Sequence, residues 1–334
     1  TAIDKVWQQQ VPFVNEVLHS NWMGARREAQ LEQQEQVSVS HDFQFRDVRR
    51  KSGIRFLHQV VDDSGIDYKG VHYDHGNGVT IADVDADGKM DIYFVNQLGE
   101  NKLYKNRGDG TFEDITAASG VAVGDRVCVA ASFADIDNDG DADLYVTAVR
   151  EGNLLFENDG TGKFSDVTVQ SGLGYSGHSS GAVFFDFDRD GLLDLFLCNV
   201  GQYTTEETGR GGYYVGFKDA FSGHLKPERT ELSRLYRNAG GKMFEDVTEQ
   251  FGMEEKSWTG DAAVWDVNND GWLDLYVLDM QGNDEYYENQ QGKGFVRKSR
   301  EVFPKTPWGA MGVAVAQSSP PWARVGEARV RPAS

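Results

Sequence analysis

An acidic loop of nine residues occurs four times in this sequence, and each copy follows the pattern Asp-x-Asp/Asn-x-Asp-Gly-x-x-Asp. Side-chain oxygens at alternating positions, with a glycine at the sharp turn, form a flexible cage for a hard cation such as Ca²⁺. Because carboxylates this close together repel one another, the pattern predicts a bound divalent cation, and we expect calcium. The four copies span residues 83–91, 135–143, 186–194 and 266–274.

Each loop is predicted to bind one Ca²⁺ through its side-chain oxygens and through the backbone carbonyl at position 7, which makes about four ions per chain. The fourth loop should bind most weakly, because Asn268 replaces a charged ligand. The predicted carbonyl ligands are those of Lys89, Asp141, Leu192 and Trp272. The predicted side-chain ligands are Asp83, Asp85, Asp87, Asp91, Asp135, Asp137, Asp139, Asp143, Asp186, Asp188, Asp190, Asp194, Asp266, Asn268, Asp270 and Asp274.

The residues around the loops exclude an EF-hand. An EF-hand has a helix on each side and a bidentate glutamate at loop position 12, whereas position 12 here is Phe94, Val146, Leu197 or Val277. Both flanks alternate with period 2, as residues 78–82 and 92–95 do around the first loop, and this predicts two strands joined by the loop. Each calcium ion would then hold a β-hairpin together.

The loops belong to a longer repeat. An Asn-x-Leu-Tyr-x-Asn run or a close variant follows the outgoing strand, and a Phe-x-Asp-Val/Ile-Thr run comes next in the first three copies. The first aspartates are 52 (83 to 135), 51 (135 to 186) and 80 (186 to 266) residues apart, so the third interval contains an insertion. Repeats of about 50 residues with four short strands are typical of propeller blades. We therefore predict an all-β fold, a β-propeller of four-stranded blades with calcium-binding hairpin loops.

These combined motifs resemble the FG-GAP/VCBS repeat family over residues 43–316, and more narrowly the bacterial UnbV-like relatives of the cartilage acidic protein family. The resemblance implies a β-propeller of the integrin-α type with calcium in the blade hairpins. It also implies a secreted or cell-surface protein. It implies no defined reaction.

The predicted domain organisation has three parts. Residues 1–42 should form an N-terminal helical or linker segment, residues 43–316 the propeller repeats with an insertion at 200–232, and residues 317–334 an irregular tail. A fifth loop should open 51 residues after Asp266, but Gln317 stands there, and we expect a chain that is cut short or altered in reading frame. Strand-like runs at 43–48 and 311–316 could pair in a fifth blade. The sequence leaves open whether the propeller is complete or incomplete.

Candidate ligand-binding residues come from two places. One group precedes the first strand of each repeat and would ring one mouth of the propeller, and the other lies in the long aromatic insertion, where loops often bind partners. The alternative is that the first group packs between blades and that the insertion is an ordered lid. The first group is His75, Arg126, His178, Trp258 and Trp308, and the second is Tyr213, Tyr214, His224 and Arg229.

The composition of the chain limits which partners and which cellular compartment we expect. A net charge of −20 argues against nucleic acid and anionic membranes as partners. No apolar run reaches transmembrane length, so we expect no membrane insertion. Cys128 and Cys198 lie in apolar runs and are expected to be buried free thiols. Calcium loops of extracellular modules fill at about millimolar calcium, which predicts a secreted, cell-surface or periplasmic protein.

The sequence therefore favours an adhesion or recognition module that binds an extracellular protein or a glycan. Two alternatives stay open: a propeller-based polysaccharide lyase or dehydratase that uses axial His and Arg residues on a sugar, and a scaffold segment of a larger protein. The metalloprotease motif His-Glu-x-x-His and the phosphate-loop motif Gly-x-x-x-x-Gly-Lys-Ser/Thr are absent from the sequence. If the propeller is incomplete, its open blade edges should favour self-association.

Overall fold

A computed structural model describes residues 37–38, 45–61, 78–209, 212–219, 226–254, 256–280, 282–303, 306, 312–313 and 331–332. The chain divides into two units, one of Thr1–Asp47 with Gln317–Ser334 and one of Val48–Ala316. In the first unit, Val37–Ser38 pairs antiparallel with Arg331–Pro332. The predicted N-terminal helix lies outside the described residues.

The second unit contains four antiparallel four-stranded sheets, which we call blades 1 to 4, and in each the strands follow one another in chain order. Blade 1 contains Val79–Ala82, Asp91–Phe94, Lys102–Asn106 and Phe112–Asp114. Blade 2 contains Val127–Ala134, Asp143–Val149, Leu154–Asn158 and Phe164–Asp166. Blade 3 contains Ser179–Phe185, Asp194–Asn199, Arg234–Asn238 and Phe244–Asp246. Blade 4 contains Thr259–Trp265, Asp274–Asp279, Glu285–Asn289 and Phe295–Arg297.

The acidic loop joins the first and second strands of every blade, as predicted. The strands that flank it are in register up to the last loop aspartate, which pairs with the residue just before the loop. These pairs are Ala82 with Asp91, Ala134 with Asp143, Phe185 with Asp194 and Trp265 with Asp274. Each loop is therefore the turn of a β-hairpin.

The insertion between the second and third strands of blade 3 contains its own antiparallel pair of strands, Thr204–Thr208 and Tyr214–Gly216. A short 3-10 turn, Pro227–Arg229, follows before the chain enters the third strand. Within the described part of the chain, every helix has only three or four residues. None of them is long and apolar enough to cross a membrane.

Neighbouring blades pack face to face through apolar clusters, because each sheet presents one set of side chains to the blade before it and the other set to the blade after it. Tyr93 of blade 1 meets Phe133 of blade 2 edge-on, with ring centroids 6.4 Å apart. Tyr145 of blade 2 meets Phe184 of blade 3 in the same way at 6.1 Å. A third cluster joins blades 3 and 4. In the described residues the four blades form an open row, an incomplete propeller that does not close into a ring.

The face of blade 1 that has no preceding blade, which we call the leading face, exposes apolar side chains. Val79 and Ile81 are 57% and 60% exposed, whereas their counterparts Ala131 and Phe133 in blade 2 pack against blade 1. Part of this face is covered, because Phe56 stacks on Phe94 with ring centroids 4.8 Å apart.

A single helical turn closes blades 1, 2 and 4, and the turns that close blades 1 and 2 lie on the blade that follows. Gly120 ends the turn Thr116–Ser119 with φ 84°, and a methyl group placed on it would lie 3.1 Å from the Phe164 carbonyl oxygen of the next blade. Gly53 ends a similar turn before blade 1. A methyl group placed on Gly53 would lie 2.7 Å from the Phe112 carbonyl oxygen of blade 1. The residues before blade 1 thus occupy the place of the closing turn of a preceding blade. The helical turns are Arg49–Ser52, Thr116–Ser119, Thr168–Ser171 and Ser299–Val302.

The strand predicted at residues 43–48 is wrong over its described part. Residues 45–48 have no strand, and the helical turn Arg49–Ser52 follows them directly. The sequence there fits the fourth strand of a repeat, but a strand forms only as part of a sheet, and no sheet of the described residues includes this segment. At the other predicted end strand, Gly312 and Val313 are described and are not in a strand, and the rest of residues 311–316 lies outside the described part.

Candidate metal centres

The backbone of each acidic loop turns twice through the left-handed region. Position 6 is a glycine with φ between 82° and 96°, as the sequence predicts. Position 4 is also left-handed but is not a glycine, which costs roughly 1 kcal/mol or more for Ala86 and Arg189 and less for the asparagines at the same place. The position-4 residues are Ala86, Asn138, Arg189 and Asn269, with φ values of 55°, 60°, 60° and 58°.

The first aspartate of each loop accepts hydrogen bonds from the backbone of the same loop. Asp83 accepts the N–H of Asp87 at 3.0 Å and that of Gly88 at 2.7 Å. Asp186 and Asp266 make the same pair of contacts with their own loops. The position-7 residue donates its N–H to the position-5 aspartate in all four loops, for example Leu192 to Asp190 at 2.9 Å. Whether the position-7 carbonyls bind metal stays a prediction.

The last aspartate of each loop is buried and fixed at both oxygens. Asp143 Oδ2 accepts the N–H of Ile136 at 3.0 Å, and its Oδ1 accepts the N–H of Asn158 at 2.9 Å. The same two contacts recur at Asp91, Asp194 and Asp274. Two N–H donors hold the carboxylate in one orientation and leave its remaining lone pairs directed at the loop.

Three of the loops bring three carboxylates together so that one oxygen of each lies within 4.8 Å of the others, and each of these clusters could hold a metal ion. The fourth loop has the amide of Asn268 where the others have the second carboxylate. The clusters are Asp83 with Asp85 and Asp91, Asp135 with Asp137 and Asp143, and Asp186 with Asp188 and Asp194.

Several carboxylate oxygens in these loops are buried without a hydrogen-bond partner. They are the Oδ1 atoms of Asp85, Asp135, Asp137 and Asp141. A buried anionic oxygen without a partner is costly, and a divalent cation in the cluster would remove that cost. The donor set consists of oxygens alone, which is the chemistry that Ca²⁺ prefers. The residues present therefore fit calcium.

Basic side chains offset only part of the negative charge. Lys105 pairs with Asp85, Lys242 Nζ lies 3.1 Å from Asp137 Oδ2, and Arg237 Nε lies 2.7 Å from Asp188 Oδ2. In the first loop Lys89 also pairs with Asp87 at 2.9 Å, but each of these loops holds at least four carboxylates, so one or two basic side chains leave it negative. The fourth loop has Glu288 near Asn268 instead, and Lys298 pairs with that glutamate at 2.7 Å.

Burial raises the pKa of the last aspartate in every loop. The pKa of Asp143 and that of Asp194 rise to about 7, because burial outweighs the two backbone N–H bonds that favour the carboxylate, and neighbouring aspartates raise both further. The pKa of Asp141 rises to about 6 through burial and through repulsion by Asp139, Asp137 and Asp135. Without a cation, Asp143 and Asp194 are therefore about half protonated at pH 7.

Three of the predicted ligand-binding residues lie in one pocket. Arg126, Tyr213 and Tyr214 line a cavity of about 130 Å³ beside the start of blade 2. The Arg126 guanidinium pairs with Asp125 at 2.9 Å and donates to the carbonyl of Gly152 at 2.8 Å, and Arg150 lies over the Tyr214 ring at 4.0 Å. The insertion of blade 3 therefore reaches the beginning of the first strand of blade 2.

The other predicted ligand-binding residues that the structure describes do not line that pocket. His178 is only 3% exposed, and its Nδ1 and Nε2 lie 2.6 Å from Glu231 Oε1 and 2.7 Å from Thr204 Oγ1. Trp258 is buried in an apolar cluster, and Arg229 lies over the Phe217 ring at 3.7 Å. His75, Trp308 and His224 lie outside the described residues.

Sequence reasoning missed one set of residues at the metal centres. The asparagine that ends the third strand of each blade contacts the last loop aspartate. The pattern contained a signal, because this asparagine recurs at the same place in all four repeats. Its members are Asn106, Asn158, Asn238 and Asn289.

Comparison with curated proteins finds cartilage acidic protein 1 of Homo sapiens, 25% identical over 271 residues, and that of Xenopus tropicalis, 28% identical over 262 residues. Each match covers 77% of this chain and 36% of the relative, so the chain spans about a third of the length of these relatives.

Two solved structures share a looser likeness. One is an Agrocybe aegerita lectin structure described as showing specific recognition of non-reducing terminal N-acetylglucosamine, with a TM-score of 0.36, 20% identity, and coverage of 65% of this chain and 49% of that one. The other is the V. cholerae biofilm matrix protein Bap1, with a TM-score of 0.36, 14% identity, and coverage of 78% and 33%. Similarity at this level does not extend to what those proteins bind.

The family model described as FG-GAP-like repeat matches residues 83–146, 135–197 and 266–317. Each matched segment contains at least one acidic loop, and together the segments span half of the chain. The chain belongs to the family of proteins with FG-GAP-like repeats.

Proposed function

We propose that this protein is a calcium-stabilised recognition module that acts outside the cytoplasm and binds a protein or a glycan. The observation that carries the calcium part is the set of buried carboxylate oxygens without partners inside the first and second acidic loops. When bound, calcium supplies positive charge that neutralises each cluster and joins the two ends of a hairpin turn. The chain's own residues hold the oxygens in place through the backbone N–H bonds described above.

Isothermal titration calorimetry on chelator-treated protein tests the calcium part. We expect about four binding events, with the fourth loop the weakest, and oxygen–metal distances of about 2.3–2.6 Å in a calcium-bound crystal structure. Fewer than three ions per chain would contradict the proposal. Mg²⁺ serves as a control, because its small octahedral shell fits a flexible loop of carboxylates poorly.

The pocket that contains Arg126, Tyr213 and Tyr214 supports the recognition part. Tyrosine rings offer an apolar surface with a polar tip, and the guanidinium and nearby carboxylates offer donors and acceptors, a combination suited to a sugar or to a polar peptide segment. His178 has both ring nitrogens hydrogen-bonded, so it gives no support to the hypothesis of an enzyme acting on a sugar.

A glycan array, followed by surface plasmon resonance on any hit, tests this part. Tyr213→Ala should weaken binding at least about tenfold if the ring contacts the ligand. Arg107→Ala is the control, because that arginine forms an exposed ion pair with Glu113 away from the pocket. Binding that survives Tyr213→Ala unchanged would remove this pocket from the proposal.

A location outside the cytoplasm follows from the same chemistry. Exposed loops of extracellular modules fill at about millimolar calcium, a concentration that the cytosol lacks. The curated relatives are named cartilage acidic protein 1, and this chain is itself acidic. Cell fractionation of the source organism, with detection by antibody, would test this location, and recovery of the protein only from the cytosol would contradict it.

A further inference from the structure

The asparagine that ends the third strand of blade 3 connects two acidic loops. Asn238 donates its backbone N–H to Asp194 Oδ1 at 2.8 Å, which is the last aspartate of its own loop. Its side-chain Nδ2 donates to the Ile136 carbonyl at 2.8 Å, which belongs to the loop of the preceding blade. One buried residue therefore contacts both loops.

The peptide that Asn238 reaches lies between two predicted metal ligands. Ile136 stands at position 2, between Asp135 and Asp137, and its own N–H donates to Asp143 Oδ2 at 3.0 Å. An unbroken series of hydrogen bonds thus runs from the last aspartate of the third loop to that of the second.

The same series continues across the other blades. Asn158 joins Asp143 to the Val84 carbonyl of the first loop, with its Nδ2 at 2.9 Å from that oxygen. Val84 in turn donates its N–H to Asp91 at 3.1 Å. Between the third and fourth loops, Asn289 joins Asp274 to the Phe187 carbonyl at 2.9 Å, and Phe187 donates to Asp194 at 3.0 Å. All four loops therefore belong to one hydrogen-bonded series.

We propose that Asn158, Asn238 and Asn289 are positioning residues that couple the calcium sites of adjacent blades, so that filling one loop raises the calcium affinity of the next. This rests on the proposed calcium binding. A cation held between positions 1 and 3 fixes the position-2 peptide, and its carbonyl then fixes the asparagine of the following blade. That asparagine orients the last aspartate of its own loop. By linkage, the effect works equally in both directions.

Blade 1 provides a matched control. Asn106 donates its N–H to Asp91 at 2.7 Å and its Nδ2 to the Met90 carbonyl at 3.0 Å, and its Oδ1 accepts from Gly108 at 2.9 Å. Asn289 makes the same three contacts within its own blade. Only the bond to a preceding blade is missing at Asn106 among the described residues.

The fourth loop can be observed selectively. Of the described tryptophans, Trp258 directly precedes the first strand of blade 4, Trp265 ends that strand, and Trp272 stands within the loop itself. Tb³⁺ bound there should be sensitised by tryptophan-selective excitation, and its displacement by Ca²⁺ gives the calcium affinity of this loop. Asp188→Ala removes a predicted ligand of the neighbouring third loop and changes no predicted ligand of the fourth, although Arg189 of the third loop also lies over the Trp272 ring at 4.4 Å.

The test is a double-mutant cycle on the full chain. In the wild-type background, Asp188→Ala should lower the calcium affinity of the fourth loop by roughly fivefold or more. A change of this size is within the usual range of coupling between sites. In the Asn289→Ala background the same change should have less than about a twofold effect, and in the Asn106→Ala background the full effect should remain. If Asn289→Ala does not fold, Asn289→Ser, which keeps a short polar side chain, takes its place.

Two results would overturn the coupling while calcium binding itself stands. One is a calcium affinity of the fourth loop that Asp188→Ala does not change. The other is a loss of that affinity on Asp188→Ala that is equal with and without the Asn289 side chain. Absence of sensitised terbium emission and of calorimetric calcium binding at every loop would instead refute the proposed function, and the coupling with it.

Discussion

Removal of calcium should make the stability of this protein fall as pH rises. Asp143 and Asp194 have a pKa of about 7 in the folded protein, because both are buried in loops of like charge, whereas an aspartate in an unfolded chain has a pKa of about 3.9. Between these values the folded state keeps a proton that the unfolded state releases. The stabilisation is therefore complete below about pH 4 and is lost as pH rises through about 7.

The size of the effect follows from the shifts. One pKa unit corresponds to about 1.4 kcal/mol, so a shift of about three units makes each acid worth about 4 kcal/mol of lost stability between acid and neutral pH. In a domain of this size 1 kcal/mol moves the melting temperature by about 2–4 °C, so each acid should account for about 10 °C. Bound calcium replaces the proton, and the decline should vanish when the loops are saturated.

Scanning calorimetry in steps from about pH 5 to pH 8, with EDTA and with excess calcium, measures this. Asp194→Asn should reduce the slope in EDTA by roughly a third or less, because Asp141, Asp143 and the last aspartates of the other loops contribute with the same sign. It should also lower stability overall, because an amide cannot accept both N–H groups. Asp159→Asn is the control, since the pKa of that exposed aspartate is lowered by Thr161 and not raised. A melting temperature in EDTA that is flat or rises over this range, or an unchanged slope in Asp194→Asn, would refute the reasoning.

Four further outcomes are expected. Asn268→Asp should raise the calcium affinity of the fourth loop severalfold by restoring a charged ligand, which calorimetry would show, and unchanged affinity would contradict this. Gly191→Ala should destabilise the protein by about 1–2 kcal/mol in urea unfolding, because φ is 90° and no atom lies within 4 Å of the added methyl, so strain alone acts. Burial raises the pKa of the Cys128 and Cys198 thiols, so neither should react with a thiol reagent until the protein unfolds. Rapid labelling of the native protein would contradict this expectation. Ile81→Asp should reduce self-association in sedimentation experiments if the leading face drives it, whereas unchanged association would place the contact elsewhere.

The hairpins and their loops could be predicted from the sequence because both are local. The position-6 glycine and the period-2 flanks lie within about fifteen residues of one another, and such patterns report on backbone geometry directly. The left-handed position 4 escaped prediction at Ala86 and Arg189, where neither residue type favours that conformation. At both residues the left-handed turn places the predicted metal ligands at positions 3 and 5 on either side of position 4.

Contacts between blades could not be predicted in the same way. Lys242 reaches Asp137 across 105 residues of sequence (137 to 242), and His178 meets Glu231 only because the insertion returns beside it. Such pairs depend on how the sheets stack and not on any local pattern. The strand expected at residues 43–48 failed for a related reason, since its sequence fits a fourth strand while the described residues provide no sheet beside it.

The placement of each closing turn on the following blade decides where this chain can be cut. A fragment that starts at Val79 would keep all four strands of blade 1 but lose Gly53 and Phe56, which lie against Phe112 and Phe94. A fragment that starts a full turn before Gly53 keeps both contacts. The transplantable module is therefore offset from the visible sheet: it runs from one closing turn to the next, and chimeras joined at that boundary should exchange whole modules without exposing a core.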